Sequence, residues 1–381
     1  MHRSAPYPAR WTRTVFAIAV LLALPGCTAF GGGGGSGSSA GPLPAAPGSD
    51  APRPPTPSEL VGQRLVVRMN GDAPSPALLG RIRRGELGGV ILFAANIRSP
   101  GRLRALVARL QGAAAAAGRP PLLIAVDQEG GAVRRLTWAP PALSAAAMAG
   151  DGVDAARRQG RATGKGLAAA GINVDLAPVA DVVRGRSFLR ASGRSWGDDP
   201  HDVAALATAF ALGLGDAGVI ATVKHFPGLG RARQTTDRAV VEIGAGRSPL
   251  GDDLLPFRAA IDAGVPMVML SNASYPAYGR FPAGWEPAIA RRLLRGRLGF
   301  EGVSITDSLD GAAHARGITP VPLALRAAAA GVDLLLITGS EATSRAVFST
   351  LRRAARDGLL DHRGLEQSYR RIQLLKQRIG D

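Results

Sequence analysis

The chain has 381 residues, a hydrophobic fraction of 46% and a formal net charge of +17. This length accommodates two average domains or one large barrel, and the hydrophobic fraction supports a sizeable core. The single cysteine excludes an intrachain disulfide. The positive charge favours an anionic setting such as a phospholipid surface or an acidic cell-wall polymer. However, no arginine run alternates with aromatic residues, which argues against a nucleic-acid groove.

The start of the chain has the pattern of an export signal. A basic segment precedes an apolar run from Val15 to Leu24, which is too short to span a bilayer and is typical of a signal peptide. The following LPGC resembles the bacterial lipobox, in which cleavage precedes a cysteine that becomes lipidated. We therefore predict a signal peptide with a lipobox over residues 1–26 and lipidation of Cys27. An ordinary secreted protein with an incidental cysteine is the alternative.

Residues 27–57 have the composition of a tether. They are mostly Gly, Ser, Pro and Ala, with too little apolar bulk to offset the entropy of folding. We predict a disordered linker here and a folded domain over residues 58–381. The domain would stand away from the membrane surface, outside the cytoplasm and anchored to the bacterial cell membrane by lipid.

Strand-like and helix-like segments alternate through the predicted domain. The predicted strands are residues 64–68, 89–93, 122–126, 172–176, 219–224, 266–270, 302–306 and 332–337. Helix-like segments lie at residues 101–115, 153–169, 202–216, 252–263, 286–298 and 342–355. About eight such alternations predict a single (β/α)8 TIM-type barrel. An open doubly wound sheet is the alternative, but no Gly-rich dinucleotide fingerprint follows the first strand.

Polar residues follow five successive predicted strands. In chain order they are Asp127, Gln128, Glu129, Arg134, Arg135, Asp175, Asp181, Arg194, Asp198, Lys224, His225, Asp237, Ser271, Asn272 and Asp307. In a parallel barrel the loops after the strands meet at one face, where active sites lie. A carboxylate at the end of an apolar strand, such as Asp307, is costly to desolvate and therefore indicates a catalytic site. Helix capping explains one such strand end but not five.

Several motifs resemble those of glycoside hydrolase family 3, and they occur in the family's order. They are VGQRLVV, GGVILFAANI, AVDQEGGAVRRL, GINVDLAPVADV, GRSWGDDP, VKHFPGLG and ITDSL. The resemblance runs from about Leu60 to the C-terminus. Because the sequence ends after one barrel, it is similar to the single-domain branch of bacterial β-N-acetylhexosaminidases that act on cell-wall fragments.

The resemblance implies roles for individual residues. Asp307 would be the nucleophile of a retaining glycosidase, which needs a carboxylate close to the anomeric carbon. The residues that would bind the sugar hydroxyls of the first subsite are Asp127, Arg135, Arg194, Lys224 and His225. For His225, a buried histidine held by hydrogen bonds is the alternative. No cofactor is implied, and no metal is expected because no His/Cys/Asp cluster has ligand spacing.

The loop after the fifth predicted strand departs from the family pattern. The hexosaminidase branch typically reads KHFPGHG followed by an Asp-Ser/Thr-His triplet, whose histidine is the general acid/base. Here Leu229 replaces the second histidine of the motif, and the triplet falls on Thr235, Thr236 and Asp237. None of the five histidines can be moved into that register. Asp237 is the nearest titratable group and can act as a general acid if burial or a neighbouring carboxylate raises its pKa.

These observations predict a retaining exo-glycosidase that acts on terminal β-linked N-acetylglucosamine, or a related hexose, of cell-wall glycans. The alternative is a lipoprotein that has lost catalysis and binds cell-wall sugars in the same pocket. Asp307 favours the enzyme, because a binding module needs no nucleophile. A polyanion binder is a third hypothesis, and the lack of aromatic platforms argues against it. The expected partners are a carbohydrate and, through the lipid anchor, the membrane, with no nucleic acid and with the protein a monomer.

Overall fold

Parallel strands form the centre of the protein. The computed structural model describes residues 54–379, so Cys27, the predicted signal peptide and most of the predicted linker lie outside the described residues. In chain order the strands are β1 (Leu65–Arg68), β2 (Gly89–Ile91), β3 (Leu123–Val126), β4 (Gln128–Gly130), β5 (Val133–Arg134), β6 (Val174–Asp175), β7 (Ile220–Phe226), β8 (Met267–Leu270), β9 (Val303–Thr306) and β10 (Leu335–Ile337). β4 and β5 form a small antiparallel pair apart from the main sheet.

The other eight strands close into a barrel. Their order is β10-β1-β2-β3-β6-β7-β8-β9, and neighbours in this order are parallel. The two ends of the order join at Leu334, whose N–H donates to the Ser304 carbonyl (2.8 Å) and whose carbonyl accepts the Thr306 N–H (3.0 Å). The predicted (β/α)8 barrel is confirmed, and the open doubly wound sheet is wrong.

Helices connect the strands on the outside of the barrel. They are α1 (Pro57–Gly62), α2 (Pro76–Arg83), α3 (Pro100–Ala115), α4 (Ala145–Met148), α5 (Gly152–Ala168), α6 (Phe188–Ala191), α7 (Pro200–Gly215), α8 (Arg247–Asp253), α9 (Leu255–Asp262), α10 (Leu309–His314), α11 (Pro320–Ala330), α12 (Glu341–Arg356) and α13 (His362–Gln377), with a π-helical segment at Ala288–Arg297. Many begin after a small polar residue that accepts a first-turn N–H, as Ser99 does for α3. Among residues 54–379, no helix combines the length and apolarity needed to cross a bilayer.

Two apolar layers stabilise the barrel, because alternate residues of each strand face the interior and the helices. The interior layer contains Val66, Ile91, Leu123, Ala125, Val174, Leu176, Ile220, Met267, Met269, Val303, Ile305, Leu334 and Leu336. At the end where the strands begin, Ile372 and Leu375 of α13 pack onto this layer. Side chains therefore fill the barrel interior. In barrels of this kind the active site lies at the opposite end, where the strands finish.

One strand differs from its predicted extent in a way that matters for the site. β7 continues to Phe226, and its register with β8 shifts after Val223. Lys224 and His225 therefore both belong to the end of the strand, whereas the predicted strand ended at Lys224 and left His225 in the loop. A strand backbone holds both side chains more rigidly than a loop would.

Candidate active site

The segments after the strands surround a cavity at the carboxyl end of the barrel. Its volume is about 320 Å³. Its charged lining includes every site residue predicted for the barrel, namely Asp127, Arg135, Arg194, Lys224, His225, Asp237 and Asp307. These residues lie at the end of β7 or in the segments that follow the barrel strands β3, β6, β7 and β9. The structure thus brings together side chains that are far apart in the sequence.

Four charged side chains form an ion cluster in the cavity wall: Asp127, Glu129, Arg194 and Lys224. Lys224 Nζ lies 3.0 Å from Asp127 Oδ1 and 2.7 Å from Glu129 Oε1. Arg194 binds Glu129 through two bonds, Nε to Oε2 at 2.7 Å and Nη2 to Oε1 at 2.8 Å. Arg135 extends the cluster, with its Nη2 3.3 Å from Asp127 Oδ2. Two-point contact of a guanidinium with a carboxylate fixes both groups in one plane.

The charges of the ion cluster compensate one another. Burial opposes ionisation, but Lys224 and Arg194 hold the pKa of Glu129 well below its usual range. Against the same effect of burial, Lys224 and then Arg135 lower the pKa of Asp127. Glu129 and Asp127 in turn outweigh burial and raise the pKa of Lys224. The cluster is therefore charged at neutral pH. Across the described residues, no group of His, Cys, Asp or Glu side chains is arranged to hold a metal ion.

A carboxylate behind the cavity wall orients His225. Asp181 is fully buried, and its Oδ2 lies 2.7 Å from His225 Nδ1. The same carboxylate accepts the backbone N–H groups of His225 (3.1 Å) and Leu229 (2.6 Å). With Nδ1 engaged, Nε2 is the imidazole nitrogen available to a ligand. His225 is thus both a buried, hydrogen-bonded histidine and a residue of the cavity lining.

Asp175, at the end of β6, is a fully buried carboxyl group next to the ion cluster. Its Oδ1 accepts the Gln128 N–H (2.9 Å), whereas its Oδ2 is buried without a hydrogen-bond partner among the described residues. Burial raises the pKa of Asp175 to about 8. The group is therefore mostly protonated at neutral pH and adds no negative charge next to the ion cluster.

Asp307 follows β9 directly and is half-buried in the cavity wall. Its Oδ1 accepts the Ser308 N–H (2.7 Å), and no residue in the range 54–379 donates a hydrogen bond to its Oδ2. Ser308 is itself held in place, because its Oγ lies 2.6 Å from Thr338 Oγ1 and its carbonyl accepts from Asn272 Nδ2 (2.7 Å). One carboxylate oxygen on a fixed backbone is thus available to a bound molecule.

Asp237 reaches the cavity from the long loop after β7. The residue is exposed, and the one hydrogen bond that its carboxyl group accepts from residues 54–379 is a long one, from Thr235 Oγ1 to Oδ2 (3.4 Å). Loss of hydration at the carboxyl group, and then the negative charge of Asp307, raise the pKa of Asp237. A carboxyl group with a raised pKa keeps its proton closer to neutral pH, as a general acid requires. Leu229, which replaces the second histidine of the KHFPGHG pattern typical of the hexosaminidase branch, lines the cavity as a buried apolar side chain.

Glu129 and Asp181 lie after predicted strands, but neither was predicted as a site residue. For Glu129 a signal existed, because it lies two positions after Asp127 in the same motif. Asp181 also lies in a quoted motif, GINVDLAPVADV, but its contact with His225, 44 positions away, has no local signal. Gly311, against which the Asp237 carboxyl group packs, was also missed.

Comparison with known proteins agrees with this geometry. Residues 59–375 match the N-terminal domain of glycosyl hydrolase family 3. An uncharacterized secreted glycosyl hydrolase from Arthroderma benhamiae is 35% identical over 331 residues, covering 84% of this chain and 93% of that protein. A β-hexosaminidase from Chromobacterium violaceum is 35% identical over 302 residues, covering 75% and 82%.

A solved structure extends the similarity to three dimensions. It is that of a glycoside hydrolase family 3 β-N-acetylglucosaminidase from Paenibacillus sp. str. FPU-7, with a TM-score of 0.79 and 34% identity. The alignment covers 85% of this chain and 63% of that one, so this chain spans less than two thirds of the Paenibacillus protein. The family match covers most of the described barrel, including every residue of the ion cluster and both cavity aspartates. The chain therefore belongs to glycosyl hydrolase family 3 and is a glycoside hydrolase with β-hexosaminidase relatives.

Proposed function

We propose that the protein hydrolyses terminal β-linked N-acetylglucosamine, or a related hexose, from cell-wall glycans through a covalent intermediate on Asp307. The observation that carries the proposal is that two carboxyl groups, Asp307 and Asp237, line one cavity, where the charge of Asp307 helps to raise the pKa of Asp237. A retaining glycosidase uses two such groups, one as nucleophile and one as acid/base. The relatives named β-hexosaminidase and β-N-acetylglucosaminidase support the choice of sugar.

The proposed reaction has two steps. In the first, Asp307 attacks the anomeric carbon, the bond to the leaving oxygen breaks, and Asp237 gives its proton to that oxygen. The products are a free alcohol and a glycosyl ester of Asp307. In the second step, ionised Asp237 takes a proton from a water molecule that attacks the same carbon, and the ester bond breaks. Two inversions at the anomeric carbon give net retention.

The ion cluster, with Arg135 and His225, would bind the sugar. Charged donors and acceptors held in fixed directions suit a ligand that carries many hydroxyl groups. A cavity of about 320 Å³ is small for a ligand site, which favours one sugar residue and therefore removal of terminal residues.

We also propose that the enzyme works outside the cytoplasm on a lipid anchor at Cys27. The LPGC motif supports this location, as does the relative named a secreted glycosyl hydrolase. Cys27→Ala removes the thiol to which lipid would be attached. We expect the variant to leave the detergent phase in a phase-partition experiment, while the wild type stays in it. Equal partitioning of the two proteins would contradict the anchor.

The test of the activity is a panel of aryl β-glycosides that differ in the sugar. We expect release of the aryl alcohol from the N-acetylglucosaminide and retained configuration in the first-formed sugar, followed by NMR. Turnover of another β-hexoside alone would keep the mechanism and change the sugar. Binding of N-acetylglucosamine without turnover of any substrate would instead support the sugar-binding lipoprotein, an alternative raised by Asp237, which stands where the triplet has its acid/base histidine.

A further inference from the structure

Gly311 lies in the first turn of α10, four residues after Asp307. Its φ angle is not positive, so its backbone conformation does not require glycine. Alanine forms helices more readily than glycine, so the helix itself would favour alanine here. Local backbone structure therefore does not account for the glycine.

The side chain of Asp237, on the loop after β7, accounts for the glycine at position 311. A Cβ atom built on Gly311 would overlap Asp237 Oδ1 and would lie 2.9 Å from the carboxyl carbon and 3.3 Å from Cα of the same residue. These three atoms are the nearest neighbours of that position, and all belong to Asp237. We propose that Gly311 is a positioning residue, whose missing side chain leaves the space in which the Asp237 carboxyl group sits beside Asp307. This inference rests on the proposed role of Asp237 as the acid/base.

The first turn of α10, which carries Gly311, is held in place by hydrogen bonds and packing. The Gly311 N–H donates to Ser308 Oγ (3.0 Å), which also bonds to Thr338 Oγ1 (2.6 Å). Asp310 accepts the Thr338 N–H (2.7 Å), and Ala312 is fully buried. The first turn of α10 is thus tied to the segment after β10 on one side and packed against the core on the other.

The Asp237 side of the contact is free to move. The residue is exposed, and the hydrogen bond from Thr235 to its carboxyl group is long, at 3.4 Å. A methyl group at position 311 would therefore displace the Asp237 carboxyl group rather than the helix. Asp307 would keep its place, because its Oδ1 is held by the Ser308 N–H. Acid catalysis would be lost, and the nucleophile would remain.

The test compares Gly311→Ala with Gly112→Ala, a glycine of α3 with no atom within 4 Å of its built Cβ. We expect Gly311→Ala to slow hydrolysis of alkyl glycosides at least ~10-fold more than that of nitrophenyl glycosides, because only the former need a proton donor. Gly112→Ala should behave as wild type. Equal slowing of both substrate classes by Gly311→Ala would overturn the inference.

A double-mutant cycle separates this inference from the proposed activity. Added to Asp237→Ala, Gly311→Ala should cause no further loss of activity and should leave the melting temperature unchanged or higher, because the overlapping carboxyl group is gone. Alone, Gly311→Ala should have a lower melting temperature than the double variant, because it still carries the overlapping carboxyl group. If the single variant does not fold, recovery of folding in the double variant supports the inference, and its absence overturns it. The melting temperatures decide the matter even if the wild type hydrolyses no glycoside in the panel.

Discussion

The ion cluster and the aspartate pair, Asp237 and Asp307, line the same cavity but are in opposite electrostatic environments. In the ion cluster each carboxylate lies against a cation, and the pKa values of Asp127 and Glu129 are lowered. In the aspartate pair, Asp237 and Asp307 form no ion pair with a described lysine or arginine, and the pKa of Asp237 is raised. The carboxyl groups of the ion cluster therefore stay ionised at neutral pH. The carboxyl group of Asp237, on the other side of the cavity, can more readily gain and lose a proton.

The difference follows from what surrounds each group. A buried carboxylate stays ionised only where opposite charges and hydrogen bonds replace its hydration. A carboxyl group that faces another carboxylate without such partners keeps its proton to higher pH. The ion cluster is therefore suited to binding, and the aspartate pair is suited to proton transfer and covalent chemistry. Variants at the two places should fail in different ways.

The largest expected effect is at the nucleophile. Asp307→Ala should lower kcat by about 10³-fold or more, because no glycosyl ester can form, while sugar binding persists through the ion cluster. Steady-state kinetics and binding of N-acetylglucosamine by calorimetry measure the two properties. Added azide should then attack directly and give the inverted α-glycosyl azide. A variant with near-normal turnover would show that Asp307 is not the nucleophile.

The next largest effect should be on stability. Glu129→Gln leaves Lys224 and Arg194 buried with one carboxylate fewer, and breaking a buried ion pair from one side costs about 3–5 kcal/mol. Urea denaturation measures this loss. The matched control is Asp216→Asn, since Asp216 also contacts two arginines, but at the surface. Its effect should be much smaller, because solvent screens exposed pairs. Equal losses in both variants would contradict the distinction.

A change at the acid/base should depend on the substrate. Asp237→Ala should slow alkyl glycosides at least ~10-fold more than nitrophenyl glycosides, because a nitrophenolate leaves without a proton. For the activated substrate the glycosyl ester should accumulate, and azide should give the β-glycosyl azide with retained configuration. Intact-protein mass spectrometry and product NMR follow both. If the variant slows both classes equally, or gives no azide product, Asp237 is a binding or structural residue.

The raised pKa of Asp237 also predicts the pH dependence. An acid with a raised pKa stays protonated above the usual carboxyl range, so wild-type activity on alkyl glycosides should fall as pH rises through that pKa. In its residual hydrolysis of alkyl glycosides, Asp237→Ala should lose this basic limb, because no carboxyl group remains at position 237 to lose its proton. Initial rates across pH measure the difference. A basic limb unchanged in the variant would mean that another group donates the proton.

A buried carboxyl group outside both the ion cluster and the aspartate pair, Asp175, should affect stability rather than catalysis. Its folded-state pKa is about 8, so up to that pH the folded form binds a proton that the unfolded chain releases near pH 4. Wild-type stability should therefore fall relative to Asp175→Asn as pH rises from about 4 to 8, and below pH 4 the two should be nearly equal. Melting temperatures across this range test the sign. Asp181→Asn is the contrast, because it weakens three hydrogen bonds and should destabilise at every pH.

The barrel was predictable from the sequence because its signals are local. Apolar runs of strand length alternate with helical segments, and each loop carries its own turn and capping residues. The end of β7 was less predictable. The predicted strand ended at Lys224, whereas β7 continues through His225 to Phe226. Charged residues end a strand in most sequence patterns, and here the ion pairs of Lys224 and the Asp181 carboxylate satisfy those groups within the barrel.

The candidate site was predictable as a set of residues but not as a set of contacts. Motif order and strand-end position were enough to select Asp127, Arg194, Lys224 and Asp307. The two-point bond between Arg194 and Glu129 joins residues 65 positions apart, and no local pattern records it. Whether Asp237 would reach the cavity depended on the path of a long loop, which propensity does not determine.

The sequence by itself determined the alternation of strands and helices and the chemical types available at the strand ends, because side-chain polarity and backbone preference act over a few residues. Only the tertiary structure decided which carboxyl groups meet cations and which meet each other. That outcome depends on distances between segments remote in the chain, and electrostatic energy changes steeply with distance and burial. Asp127 and Asp237 are the same residue type, yet the fold lowers the pKa of one and raises the pKa of the other.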